Sequence, residues 1–186
     1  MKKNKGILIL FAFISGGVFF FCLLCVLIGS VARTYNGFAV DSNGKIYIGS
    51  GHRIKIYEDQ QIIGEITTGT SRGFAFTIQG NDTILLSTST VVYIMTLDGK
   101  IIDQYDDTDT SIYNRYQKNK EFRTSDGILY RAYNTWGRMK IYKEDVVIYQ
   151  APIEDFAVKL VMPVSMACFF LCVAFIIPEG LKTGTR

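Results

Sequence analysis

The 186-residue sequence predicts a mainly β extracytoplasmic domain set between two transmembrane helices. Three observations point there. The chain opens and closes on long apolar stretches. The segment between them alternates short Ile- and Tyr-rich runs with Gly, Asn and Asp turns. One decapeptide returns nearly intact: "IKIYEDQQII", Ile54 to Ile63, comes back as "MKIYKEDVVI", Met139 to Ile148.

The first span is expected over residues 6–32, where "GILILFAFISGGVFFFCLLCVLIGSVA" carries no charge. Roughly 20 apolar residues cross a hydrocarbon core of ~30 Å. The second is expected over 156–178, "FAVKLVMPVSMACFFLCVAFIIP". Lys159 sits near one end of it, where its stem can reach the headgroups. Pro163 is expected in the opening turns, where a missing N–H is tolerated. Lys2, Lys3 and Lys5 flank the first span, and Lys182 and Arg186 follow the second. Basic residues in short tails stay in the cytoplasm, so residues 1–5 and 179–186 are expected inside and residues 33–155 outside. "SVA" at Ser30–Ala32 resembles a signal-peptidase site. The apolar stretch before it is longer than the usual ~7–15-residue signal core, which favours a retained helix.

Ala12 and Gly16 form a small-xxx-small pair in the first span, with Gly17 adjacent, and predict close approach of another helix. All four cysteines lie in the spans, Cys22 with Cys25 and Cys168 with Cys172. Antiparallel spans place the two pairs at different depths, so they read as small packing residues rather than as one metal site. An outer segment without cysteine has no disulfide framework, which leans towards a bacterial surface.

Residues 33–155 are nearly balanced in charge, with 14 Lys and Arg against 16 Asp and Glu. They lack the basic stripe that nucleic acid demands. Their runs are short and rich in β-branched and aromatic residues. "KIYIGS" (Lys45–Ser50), "RIKIYE" (Arg53–Glu58) and "QIIGEI" (Gln61–Ile66) follow an Asn-Gly turn at Asn43–Gly44. The pattern then restarts, since "GFAF" at Gly73–Phe76 echoes "GFAV" at Gly37–Val40. "TILLST" (Thr83–Thr88), "VVYIMT" (Val91–Thr96) and "IIDQY" (Ile101–Tyr105) complete a second unit around Asp98-Gly99. A polar linker, "DDTDTSIYNRYQKNK", leads to a third, with Asp126-Gly127 and the second copy of the decapeptide.

Four strands per unit of about 40 residues is the pattern of propeller blades. The "D-x-x-G-x-[IL]-Y" entry at Asp41–Tyr47 resembles blades of the NHL and related lactonase-like β-propellers, over residues 37–150. The predicted fold is therefore three four-stranded propeller-blade-like repeats plus two transmembrane α-helices. The resemblance implies a binding surface. No residue here matches the metal-binding or catalytic set of enzymatic propellers.

Closed propellers use four to eight blades, so three predict an open arc. Such an arc closes against a second copy, docks on a partner, or packs in another compact way. "VVYIMT" has no charge, whereas Arg53 and Lys55, and Arg138 and Lys140, interleave with apolar residues in the outer units. This predicts the middle unit as the sandwiched sheet. Lys55 and Lys140 are equivalent and should point the same way round the arc, so either one of them snorkels from an outer strand or the packing is not propeller-like.

Chemistry is sparse. His52, the only histidine, falls in a turn, and a histidine-based triad or zinc site needs more. Asp103, Asp106, Asp107 and Asp109 are dense enough to suggest Ca²⁺. Their spacing is not that of an EF-hand, and a solvated acidic loop is the plainer reading. Tyr130, Tyr133, Trp136 and Tyr142 form a sugar or peptide platform, or fill the core and the membrane interface. Asn81-Asp82-Thr83 is a glycosylation sequon in a eukaryotic setting only. No catalytic residue and no cofactor are expected.

The expected role is a non-enzymatic interaction or accessory module, held in the lipid bilayer and associating with a protein partner or with itself, without nucleic acid. One alternative is a ligand sensor. The tails of five and eight residues would make it signal through a partner. The other is a lactonase-like hydrolase.

Overall fold

The structure, a computed structural model, describes residues 2–27, 35–70, 73–135 and 138–183. Ser30–Ala32, Arg33, Trp136 and Arg186 lie outside the described residues, as do the side chains of Lys2, Lys3, Lys5 and Lys182. The chain divides into two compact units, one of Met1–Val31 with Pro152–Arg186 and one of Ala32–Ala151.

The first unit is a pair of packed helices, α1 (Lys2–Leu27) and α3 (Ile153–Thr183). Each holds a long apolar window, Gly6–Leu27 with a mean hydropathy of 2.8 and Phe156–Phe175 with 2.2. Ala12, Cys22 and Ser165 are buried in the pair. A Cβ placed on Gly16 would lie 3.2 Å from the Phe169 ring. The small pair Ala12 and Gly16 thus meets the second helix of the same chain. Pro163 is not in the opening turns, because α3 begins at Ile153 and places it in the helix interior. Neighbouring helices make such a proline tolerable in an apolar helix.

The second unit is β. Among the described residues twelve strands form three antiparallel meanders. The first holds β1 (Tyr35–Val40), β2 (Ile46–Ser50), β3 (Arg53–Glu58) and β4 (Gln61–Thr67). The second holds β5 (Ala75–Ile78), β6 (Ile84–Ser87), β7 (Val91–Met95) and β8 (Ile101–Asp106). The third holds β9 (Glu121–Arg123), β10 (Leu129–Thr135), β11 (Arg138–Lys143) and β12 (Val146–Gln150). The repeated decapeptide is the β3–β4 hairpin of the first sheet and the β11–β12 hairpin of the third.

The turns explain much of this. In the β1–β2 turn the Asp41 carboxylate accepts hydrogen bonds from the backbone of Asn43 (3.0 Å) and Lys45 (2.8 Å). The Tyr47 hydroxyl reaches the same carboxylate at 3.4 Å. This is the physical content of the D-x-x-G-x-I-Y entry: the acid closes the turn and the tyrosine seals it. At Asp98-Gly99 and Asp126-Gly127, Thr96 and Thr124 take the place of Asp41.

The first sheet, not the second, is the sandwiched one. On one face Gly49 lies against the second sheet, where an added Cβ would sit 2.9 Å from Phe76 and 3.1 Å from Phe74. On the other face Tyr57 meets Tyr149 edge-on at 4.7 Å, and Phe38 meets Phe122 at 6.3 Å, both in the third sheet. The spatial order is second, first, third. Arg53 and Lys55 share the face of Tyr57, yet β3 lies towards the rim, where Arg53 pairs with Glu65 at 2.9 Å. Their charge therefore does not mark an outside sheet. Register carries Lys140 and Tyr142 to the matching side of the third sheet. The two lysines do point the same way round the stack, and Lys140 lies on its open end.

The other end of the stack is covered. Ala75, Leu85, Ser87 and Val92 face away from the first sheet by register and are still buried. A short helix, α2 (Ser111–Tyr116), packs against β5. It lies in what the sequence predicts as a polar linker. Its anchor is Asp107, whose carboxylate accepts from the Ile112 backbone (2.8 Å) and the Ser111 hydroxyl (3.1 Å). From α2 the chain crosses the edge of β1 that β2 leaves free. There the Asn119 amide accepts from Phe38 N–H and donates to Phe38 C=O, both at 2.9 Å. The Tyr35 hydroxyl donates to the Asn119 carbonyl at 2.5 Å. Gly37, at φ +115°, gives the amide room, since a Cβ there would overlap Asn119 Oδ1.

Candidate functional site

Two hollows and one sheet face among the described residues are candidates. The first is a cavity of about 580 Å³ where the first turns of all three sheets converge, lined by Asp41, Asp82, Arg123, Asp126, Tyr130 and Lys143 among others. Several of its polar groups serve the turns. Asp41 is spent on its own turn, Asp82 accepts from the Ser42 backbone at 3.0 Å and from the Ser42 hydroxyl, and Arg123 donates to the Gly127 carbonyl at 2.9 Å. The second is a cavity of about 570 Å³ beside Thr70, Leu86, Tyr93, Met95 and Gly99, where the first sheet meets the second.

The third is the open face of the third sheet. Register places Glu121, Arg123, Arg131, Tyr133, Lys140 and Tyr142 on it, opposite the buried Phe122, Tyr130, Ala132 and Ile141. Tyr133 and Tyr142 stack edge-to-face at 5.5 Å, and Tyr133 is 50% exposed. Arg131 pairs with Glu121 at 3.1 Å. The aromatic cluster expected from the sequence is therefore split. Tyr130 is core, Tyr133 and Tyr142 are surface, and Trp136 is outside the described residues.

The remaining candidates are placed as follows. His52 lies in the β2–β3 turn and accepts from Arg53 Nε at 3.1 Å. Asp103 and Asp106 stand on the fully exposed strand β8, Asp107 anchors α2, and Asp109 is exposed in the following turn. Among the described residues no group of three or more His, Cys, Asp or Glu is placed to hold a metal ion. Cys22 and Cys25 are on α1 and Cys168 and Cys172 on α3, all as free thiols. Asn81-Asp82-Thr83 forms the β5–β6 turn, with the Thr83 hydroxyl on Asn81 at 2.6 Å.

The electrostatics follow from these bonds. Burial pushes the phenols of Tyr35 and Tyr47 well above their ordinary value, helped at Tyr47 by the Asp41 charge. The Thr96 hydroxyl lowers Asp98, the Ile112 N–H lowers Asp107 and the Thr124 hydroxyl lowers Asp126. A carboxyl lowered in the folded state adds stability above its unfolded pKa and loses it as pH falls through the folded one. Acid is therefore expected to loosen α2 once the pH drops below the ordinary carboxylate value. In a pH titration of limited proteolysis, cleavage near α2 should rise on acidification. In Asp107→Ala it should be high already at neutral pH and change less.

These features define a class: three blade-like four-stranded sheets in one β unit, joined to two long apolar helices. No family model and no curated protein matches the chain significantly. Solved structures similar to it include a protein of unknown function from Bacteroides caccae, 10% identical, covering 63% of this chain and 45% of that one at a TM-score of 0.34. A catalytically inactive virginiamycin B lyase from Staphylococcus aureus with quinupristin is 14% identical, with 59% and 38% covered and a TM-score of 0.36. A selenomethionine-substituted form of that lyase gives 12%, 64%, 41% and 0.35. The chain thus spans about two-fifths of the length of the structures it matches.

Proposed function

We propose that this chain is a two-span membrane protein with both termini in the cytoplasm. Its β unit, built of NHL/lactonase-like blades, stands outside as a non-enzymatic interaction or accessory module of a membrane assembly. The observation that carries the anchoring is the surface of the helices. Only 11% of the apolar window of α1 and 6% of that of α3 is buried, whereas the core helix of a water-soluble domain hides most of its apolar surface. Lipid is the solvent such a surface requires. The lysines at the start of the chain, with Lys182 and Arg186 at its end, support the orientation.

The interaction role is supported by where the chemistry goes. Asp41, Asp82, Asp107 and Arg123 all act as fasteners of turns or of α2. The outer strands instead present apolar groups, with Ile62, Ile101, Ile102 and Val146 each more than half exposed. Fold alone does not give function, so the test is topological first. In a background whose four cysteines are replaced by alanine, Ser42→Cys should react with a membrane-impermeant maleimide in intact cells. Lys3→Cys should react only after the membrane is opened. The reverse pattern would sink the proposal.

A further inference from the structure

We propose that the open face of the third sheet is a docking surface for a second copy of this chain, and that it receives the acidic outer edge of the partner's second sheet. The inference rests on the interaction-module reading above and names the partner.

The first argument is internal equivalence. Tyr57 in β3 and Tyr142 in β11 occupy the same position of the repeated decapeptide. Tyr57 sits in the seat where the third sheet packs on the first, in contact with Tyr149. Tyr142 lies on the corresponding side of the third sheet, where Tyr133 meets it edge-on. The third sheet thus carries the seat for a following sheet.

The second argument is charge. By register the seat carries Arg123, Arg131, Arg138 and Lys140 against the carboxylate of Glu121, which pairs with Arg131. The complement lies in the same chain, because residues 101–114 hold four aspartates and no basic residue. Asp107 is taken by α2, which leaves Asp103, Asp106 and Asp109 exposed. They stand on or beside β8, an outermost strand with all six side chains exposed, including Ile101, Ile102 and Tyr105. Two copies related by a two-fold axis make this contact twice, each supplying one seat and one edge, which closes the assembly as a dimer. Opposite charges steer and register such a contact, and like charges set face to face oppose it.

The test uses the full-length protein in mild detergent, with mass from light scattering corrected for bound detergent. A dimer is expected at about 0.05 M salt, shifting towards monomer at about 0.5 M, where charges are screened within a few ångströms. Lys140→Glu and Asp103→Lys should each weaken self-association by about tenfold or more. The double variant, which exchanges the charges, should regain the dimer. That rescue excludes simple misfolding. A monomer at low salt, or a dimer indifferent to both single reversals, overturns the proposal. Cross-linking from position 140 in native membranes separates the two levels of inference. Attachment to a different protein would reject the second copy yet retain the interaction module.

Discussion

Phe38→Ala is expected to cost about 3–5 kcal/mol, the range for removing a fully buried aromatic ring. Phe38 has no exposed surface, lies in the sandwiched sheet and reaches Phe122 in the third. Its removal opens a cavity that the sheets cannot close without losing their other contacts. A domain of this size has roughly 5–15 kcal/mol in all, and each kcal/mol shifts the midpoint by several degrees. The melting temperature should fall by on the order of 15 °C. Urea unfolding of the full-length protein in detergent, followed by the fluorescence of its single tryptophan, measures it. Phe38→Leu, which keeps most of the volume, should cost under about 1.5 kcal/mol. Equal and small losses in both variants would mean that the ring is not packed between the sheets.

Asn119→Ala should be the next most damaging change. One side-chain amide satisfies both backbone groups of Phe38, so its loss leaves a donor and an acceptor without partners at the inner edge of β1. Each such group costs about 1–3 kcal/mol when buried, giving roughly 2–5 kcal/mol together. Asn119→Asp should be no better at neutral pH, because its second oxygen would face the Phe38 carbonyl. The direct readout is hydrogen exchange. The Phe38 amide should lose protection in Asn119→Ala while amides of β6 keep theirs. Unchanged protection at Phe38 would refute the latch.

Much of this fold was legible in the chain, and the reason is local. Runs such as Val91–Met95 and Ile101–Asp106 alternate or cluster apolar residues on a strand period, and Asn43-Gly44, Asp98-Gly99 and Asp126-Gly127 mark the turns. Sheet order was not legible. It depends on Gly49 admitting Phe76 and on Tyr57 meeting Tyr149, contacts between residues far apart in sequence. Charge misled because Arg53 and Lys55 lie near the rim, where a charged head reaches water even from a sheet covered on both sides. The helix α2 was missed because six residues are too few for a helical period to stand out. Its faint signal is Ile112, Tyr113 and Tyr116, the half-buried members of a polar segment. The candidate surface was half legible. The sequence marks Tyr133 and Tyr142 as candidates, but only register separates them from Tyr130, which faces the core.

The non-sequential stacking has a consequence for synthesis. The third sheet covers the face of the first that carries Phe38 and Tyr57, and its last strand, β12, ends at Gln150, just before α3 begins at Ile153. The first two sheets, made earlier, cannot hide that face between themselves, because they meet on its opposite side. Until the last strand of the β unit has been made, a growing chain therefore exposes one apolar wall of its central sheet. Contacts of such long sequence separation form slowly, so the vulnerable interval ends only as the second apolar helix emerges.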